Sequence, residues 1–144
     1  MEEVLGSTFV GQKGNEMDST TLNYPTELIG VYFAANWCKN CSILTPKLAD
    51  FYKEINNLVT KFEIVYVNND QSLEAFETTK SEMPWMSIPF SNQQFCTELR
   101  TKYSVSAMPT LIIFRPDGTI LTRNGRSDVE NDIEKAFMNW GGSP

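Results

Sequence analysis

The stretch Trp37-Cys38-Lys39-Asn40-Cys41 places two thiols at a junction between a strand pattern and a helix pattern. The apolar run from residue 28 to residue 35 precedes it, and an amphipathic pattern follows it. At such a junction, unpaired N–H groups and the dipole of the helix N-terminus stabilise a thiolate on the first cysteine. The second cysteine lies about one helical turn further on and can close a disulfide with the first. The stretch therefore favours dithiol–disulfide exchange.

A Cys-x-x-Cys pair can also be one half of a zinc site. Zinc in structural sites takes four ligands, mostly Cys and His. The chain has three cysteines and no histidine, so only Cys96 remains outside the pair. We therefore expect neither a metal nor a cofactor. The lack of histidine also excludes Cys–His proteases, Ser–His hydrolases and haem ligation by His.

Length and composition predict one globular domain over residues 1–144. Hydrophobic residues make up 41% of the 144 residues, which suits a chain with an ordered core. Residues 1–27 are polar and are interpreted as an N-terminal extension with an edge strand, and residues 28–140 as the core. The net charge is −6 and no basic run occurs, which argues against nucleic acid and against anionic membrane surfaces as partners.

The N-terminus and the apolar runs predict a cytoplasmic location. The longest apolar run, residues 28–35, is far shorter than a membrane span. Met1-Glu2-Glu3 opens the chain without the basic region and apolar core of a secretory signal. In a reducing compartment, a Cys-x-x-Cys pair is redox-active or metal-binding rather than part of a disulfide scaffold. A monomer is expected.

The order of predicted elements indicates an α/β fold with a central mixed β-sheet flanked by helices on both faces. A kink or break near residues 42–43 is expected in the first long helix because Pro46 lies inside it. Residues 83–90 contain two prolines and are interpreted as an ordered apolar loop. The predicted strands cover residues 8–10, 28–35, 62–67, 110–114 and 120–123, and the predicted helices cover residues 38–55, 72–77, 91–103 and 128–140.

The order of elements, the Trp-Cys-x-x-Cys junction and Met108-Pro109-Thr110 before the hairpin together resemble the thioredoxin fold. The runs 31–38 and 45–52 are similar to those of the tryparedoxin and nucleoredoxin branch. Met83-Pro84-Trp85, followed by Pro89-Phe90, is the discriminating piece because ordinary thioredoxins lack it. The resemblance spans residues 28 to 126.

The resemblance implies an enzyme, a thiol–disulfide oxidoreductase. Cys38 would be the attacking thiol and Cys41 the resolving one. The couple would reduce disulfide-containing client proteins, for example of the peroxiredoxin type, and an upstream thiol reductant or reductase would restore it. A low-molecular-weight dithiol, glutathione and a thioredoxin reductase all stay open as that reductant. The alternative function is a non-catalytic interaction module within a larger assembly.

The same resemblance implies a substrate-binding surface around the cysteines. Pro109 would be a cis-proline that faces the disulfide. Met108 would offer its backbone to an extended substrate segment, as in strand addition. Trp37 would flank the site as a contact surface, with Lys39 and Asn40 beside it.

Two features depart from related patterns: Lys39-Asn40 departs from the pattern of the branch, and Tyr32, which agrees with the branch, departs from the pattern of thioredoxins. Lys39 and Asn40 stand where tryparedoxins and nucleoredoxins usually carry Pro-Pro. Lys39 either favours the thiolate of Cys38 by its charge or points into solvent. Tyr32 stands where thioredoxins carry a buried acid, and a phenol with a pKa of about 10 is a poor proton acceptor at neutral pH. Water is then a candidate acceptor for the proton of Cys41.

Five further residues receive structural interpretations. Cys96 is expected to be a quiet, partly buried thiol rather than a redox sensor. Trp85 and Phe90 are interpreted as core anchors of their loop rather than as substrate contacts. Asp70 is interpreted as a helix cap, with Ser72 as the other candidate for that cap, and Arg123 as a solvated charge, although Asp70 and Arg123 could lie near the site.

Overall fold

The computed structural model describes all 144 residues as six helices packed on a seven-stranded sheet. The helices are α1 (Glu2–Leu5), α2 (Lys39–Ile55), α3 (Leu73–Ser81), α4 (Gln93–Lys102), α5 (Gly125–Asn131) and α6 (Ile133–Asn139), with a 3-10 turn at Ser19–Leu22. The strands are β1 (Thr8–Val10), β2 (Glu16–Asp18), β3 (Leu28–Ala34), β4 (Phe62–Asn68), β5 (Met86–Ser87), β6 (Thr110–Phe114) and β7 (Ile120–Thr122). None of the helices is both long enough and apolar enough to cross a membrane.

The sheet is mixed and has the order β2-β1-β5-β4-β3-β6-β7. The central strand β3 pairs in parallel with β4 and antiparallel with β6. Every residue of β3 and β4 is buried, as expected for strands covered on both faces. These two buried strands therefore form the middle of the sheet.

Side chains alternate between two hydrophobic cores, one on each face of the sheet. Tyr32 and Tyr66 lie in the first core, with apolar residues of α2, α3, α5 and α6. Val31 and Val65 lie in the second, with residues of α1 and α4. The predicted mixed sheet with helices on both faces is thus confirmed.

The N-terminal segment contains more structure than the sequence predicts. Strand β1 lies where it was predicted, but it is not at the edge because β2 pairs outside it. Lys80 of α3 holds the turn between these strands, since its buried Nζ donates to the carbonyl oxygens of Gly11 at 2.8 Å and Gln12 at 2.9 Å. The short helix α1 was also not predicted.

The segment 83–90 is a loop except for β5, a two-residue strand between β1 and β4. Trp85 is fully buried, with its ring centroid 6.0 Å from that of Tyr32 and 5.6 Å from that of Tyr52. Phe90 is half-buried, with its ring 5.7 Å from that of Phe76. Both packings agree with their interpretation as anchors of the loop.

Two helix predictions need correction. Helix α2 runs without a break through Pro46. The predicted C-terminal helix is instead two helices, α5 and α6, because Asp132 between them has an extended φ of −155°. The Asp132 carboxylate accepts a hydrogen bond from the backbone N–H of Lys135 and so caps α6.

Candidate active site

Cys38 and Cys41 form a disulfide at the N-terminus of α2, with their Cα atoms 5.2 Å apart. Cys38 is the N-cap residue, and its Sγ accepts a hydrogen bond from the backbone N–H of Cys41 at 3.1 Å. Both are largely buried, with 9% of Cys38 and 3% of Cys41 exposed. Cys38 is thus the more accessible of the two residues, and a backbone donor at the helix N-terminus points at its sulfur. Such a donor stabilises negative charge on that sulfur.

A hollow of about 380 Å³ lies beside Cys38 and joins three of the predicted site residues. Trp37, Cys38 and Met108 all line it. The Met108–Pro109 peptide bond is cis, as predicted, and Pro109 is buried at the start of β6. The complete lining is Trp37, Cys38, Asn69, Arg100, Val105, Ser106, Ala107 and Met108.

The three exposed residues around the disulfide differ in how firmly they are held. Trp37 is 52% exposed, and its indole N–H donates to the carbonyl oxygen of Asn69 at 2.8 Å. Lys39 and Asn40 are exposed in the first turn of α2 and do not line the hollow. The site therefore has an aromatic ring, held by a hydrogen bond, at its rim, and two solvated polar side chains in the exposed first turn of α2.

Asp70 organises the loop that leads to the disulfide. Its Oδ1 accepts hydrogen bonds from the backbone N–H of Asn36 at 2.6 Å and from the hydroxyl of Tyr66 at 2.9 Å. Burial raises the pKa of the Asp70 carboxyl above its ordinary value. The interpretation of Asp70 as a helix cap is wrong, because Ser72 caps α3 through the backbone N–H of Ala75.

Tyr32 stays protonated near neutral pH. It is fully buried, and burial raises its pKa to about 12 while its hydroxyl lies 2.9 Å from Thr45 Oγ1. A phenol with that pKa cannot serve as the proton acceptor for Cys41 at pH 7. The buried surroundings of Tyr32 therefore support the expectation that it is a poor proton acceptor for Cys41.

Two arginines donate to backbone carbonyl oxygens of the segment between α4 and β6. Arg126 of α5 donates to the carbonyl oxygen of Pro109 at 3.3 Å and forms an ion pair with Glu130 at 3.3 Å. The sequence reasoning missed Arg126 because it lies in a stretch that was assigned no element. Arg123 is exposed, as a solvated charge would be, but its guanidinium also donates to the carbonyl oxygen of Tyr103.

Cys96 is more buried than expected, with none of its surface exposed. It lies in α4, and the Asn68 amide approaches its Sγ at 3.9 Å. Burial raises the pKa of the Cys96 thiol to about 11. No group of three or more His, Cys, Asp or Glu side chains is arranged to hold a metal ion.

We predict that alkylation of the reduced protein labels Cys38 before the other two thiols. Cys38 is the most exposed of the three and lies at the helix N-terminus, whereas Cys41 is shielded and Cys96 is inaccessible. Iodoacetamide at mildly acidic pH, followed by peptide mapping over time, measures the order. Equal or faster labelling of Cys41 or Cys96 would overturn it.

The sequence of this chain is similar to a protein-family model and to several known proteins. A family model described as Thioredoxin-like matches residues 26–120. Nucleoredoxin from Bos taurus is 34% identical over 142 residues, which is 99% of this chain and 32% of that protein. The chain thus spans about a third of the length of the curated relatives that it matches first.

Solved structures of related proteins match this chain over nearly the full length of both chains. Tryparedoxin I from Leishmania major is 31% identical with a TM-score of 0.82, and the match covers 91% of this chain and 89% of that one. Tryparedoxin from Trypanosoma brucei is 29% identical with a TM-score of 0.83, covering 93% and 91%. These similarities confirm the predicted thioredoxin fold. The chain belongs to the thioredoxin-like family, in the branch that contains the tryparedoxins and nucleoredoxins.

Proposed function

We propose that this chain is a dithiol–disulfide oxidoreductase that reduces protein disulfides through Cys38 and Cys41. The observation that carries the proposal is the disulfide at the N-terminus of α2, with the more exposed cysteine as the N-cap. Membership of the thioredoxin-like family supports it.

The reaction passes two electrons to the client. The Cys38 thiolate attacks one sulfur of the client disulfide, forms a mixed disulfide and releases the first client thiolate, which takes a proton from solvent. The thiol of Cys41 then loses its proton and attacks Cys38 Sγ, which releases the second client thiolate. The chain ends as the Cys38–Cys41 disulfide, and an external thiol reductant restores the dithiol.

The surroundings of the disulfide supply the substrate-binding surface. A client segment in extended conformation would lie in the hollow beside Met108 and pair with its backbone. Trp37 would cover the segment with its ring, which the bond to Asn69 holds in place. Lys39 and Asn40 would contact the client from the exposed first turn of α2, and Pro109 would form the wall behind it.

The same proposal includes clients of the peroxiredoxin type. It also includes a low-molecular-weight thiol or a reductase as the source of electrons. They rest on resemblance to the family rather than on a contact in this structure. The cytoplasmic location and the monomeric state stay predictions from the sequence.

Cys38→Ser is expected to reduce insulin-disulfide reduction in the presence of dithiothreitol to the rate of dithiothreitol alone. Without the Cys38 sulfur no mixed disulfide can form. Cys96→Ala is the matched control, because it removes a thiol that is fully buried and is expected to keep the activity of the parent. Turnover equal to that of the parent in Cys38→Ser, or none in the parent, would instead favour an interaction module without redox activity.

A further inference from the structure

Arg100 brings a positive charge into the hollow beside Cys38. Its side chain leaves α4 and lines the same 380 Å³ space as Cys38 and Met108. A second hollow of about 370 Å³ shares Arg100, Val105 and Ser106 with the first. The two hollows are therefore neighbours along residues 104–108, and Arg100 lines both of them. We call this pair of hollows the Arg100 groove; the second hollow is lined by Thr97, Arg100, Thr101, Ser104, Val105 and Ser106.

The guanidinium of Arg100 is held in place by neutral oxygen acceptors. It donates to the carbonyl oxygen of Asn68 at 3.0 Å and to Thr97 Oγ1 at 3.0 Å. These two bonds use two of the five N–H donors of an arginine. The ion pairs of the chain lie elsewhere, so no carboxylate neutralises Arg100 within ion-pair distance. The groove thus contains a positioned cation with donors left for a ligand.

A carboxylate is a group that fits such a cation. A guanidinium matches the two oxygens of a carboxylate in geometry as well as in charge. The chain as a whole carries a net charge of −6, so its general field does not attract acidic substrates. Recognition of a carboxylate near the disulfide then depends on a local cation, and Arg100 is the one that lines the groove.

We propose that Arg100 is a specificity residue that binds a carboxylate close to the sulfur that Cys38 attacks. The inference rests on the proposed disulfide reduction and names its substrate class: disulfides with an acidic group within a few residues of the reacting cysteine. An acidic side chain of a client protein and a carboxylate of a small disulfide such as glutathione disulfide present the same chemistry.

The test measures how fast each disulfide oxidises the pre-reduced protein in single-turnover reactions without added reductant. One pair of substrates is a short peptide disulfide with Glu near the cysteine and the same peptide with Gln. The other pair is glutathione disulfide and its ethyl ester. The variants are Arg100→Gln and Arg100→Glu. The matched control is Lys102→Gln, which removes the same charge from α4 at an exposed residue that lies over the Tyr103 ring and outside the groove.

The parent is expected to react about 5- to 10-fold faster with the acidic member of at least one pair, as one charge-assisted hydrogen bond at a half-buried site would give. Arg100→Gln should reduce that ratio to about one, Lys102→Gln should keep it, and Arg100→Glu should invert it. A preference in the glutathione pair alone identifies a small-molecule carboxylate, and a preference in the peptide pair alone identifies a client side chain.

Two results would overturn the role of Arg100: equal rates within both pairs in the parent, or an acidic preference that survives in Arg100→Gln and Arg100→Glu. Inversion by Arg100→Glu separates recognition from a merely structural contact, since loss of the bond to Asn68 would slow both members of a pair equally. Failure of the proposed function looks different, because then no disulfide would oxidise the reduced parent.

Discussion

Cys41→Ser is expected to stop turnover and to leave the protein covalently attached to its disulfide substrates. The Cys38 thiolate can still attack, but no second thiol is present to release the mixed disulfide. The distance of 5.2 Å between the Cα atoms of the pair places Cys41 within reach of the mixed disulfide, and Cys96 in the buried face of α4 has no exposed surface from which to replace it. Adducts should therefore accumulate with time.

Non-reducing electrophoresis and intact mass measurement after mixing with insulin or a cell extract reveal the adducts. Dithiothreitol should dissolve them. The control is the double variant with Ser at both Cys38 and Cys41, which should give none. Adducts in the double variant, or their lack in Cys41→Ser, would contradict the assignment of Cys38 as attacking and Cys41 as resolving thiol.

Glu63→Gln is expected to stabilise the protein at alkaline pH. Glu63 is buried at the start of β4, where its Oε1 accepts hydrogen bonds from the Tyr52 hydroxyl at 2.9 Å and the backbone N–H of Ile64 at 3.2 Å. Burial raises the pKa of Glu63 from 4.5 to about 7, despite both hydrogen bonds. The folded protein therefore holds a proton on Glu63 at pH values where the unfolded chain has lost it.

The sign of the pH dependence follows from this difference in proton binding. The free energy of unfolding falls as pH rises from 4.5 to about 7. In this range the Glu63 carboxyl stays protonated in the folded protein, whereas it is ionised in the unfolded chain. Above that range the parent has lost about 3 kcal/mol. Gln keeps an oxygen acceptor for Tyr52 and Ile64 and carries no charge, so Glu63→Gln should lack this loss.

Urea unfolding of the parent and Glu63→Gln at pH 5 and pH 8 measures the effect. The stability gained by the variant should be larger at pH 8 than at pH 5 by about 2.5 kcal/mol, because the unfolded chain is already partly ionised at pH 5. Glu54→Gln, which removes an exposed carboxylate from α2, is the matched control and should show no comparable gain. Asp70 contributes a slope of the same sign in all three proteins. A gain in Glu63→Gln that does not change with pH would contradict the account.

The parts of the fold that the sequence predicts are those with a local signal. The runs that form β3 and β4 are mostly apolar because both faces are covered, with Glu63 and Asn68 as the polar exceptions in β4. The spacing of Cys38 and Cys41 marks the start of α2. Strands β2 and β5 have three and two residues, too few for a periodic pattern. Strand β2 forms by pairing with the neighbouring β1, and β5 forms because β1 and β4, which lie far from it in the sequence, pair with it. Asp132 separates α5 from α6 by its non-helical backbone conformation, and the helical spacing of the apolar residues in this stretch gives no sign of that break.

The sequence likewise predicts the site residues that belong to short motifs and misses those that act through long-range contacts. Trp37, Met108 and Pro109 follow from short motifs, and the structure places them around Cys38 or behind it. Asp70 resembles a helix cap in the sequence, but it bonds to a residue 34 positions earlier in the chain. The guanidinium contacts of Arg100 and Arg126 likewise reach residues 32 and 17 positions away, so no local pattern points to them.

The Cys38/Cys41 couple is expected to pass two electrons to a disulfide substrate. Mixing the reduced protein with one equivalent of a peptide disulfide, quenching with acid and alkylating all free thiols tests this transfer directly by mass. The chain should lose two alkylation sites, both within a linked Cys38–Cys41 peptide, while the substrate gains two thiols and Cys96 stays reduced. A substrate that stays oxidised, or a chain that loses its thiols through Cys96, would contradict it.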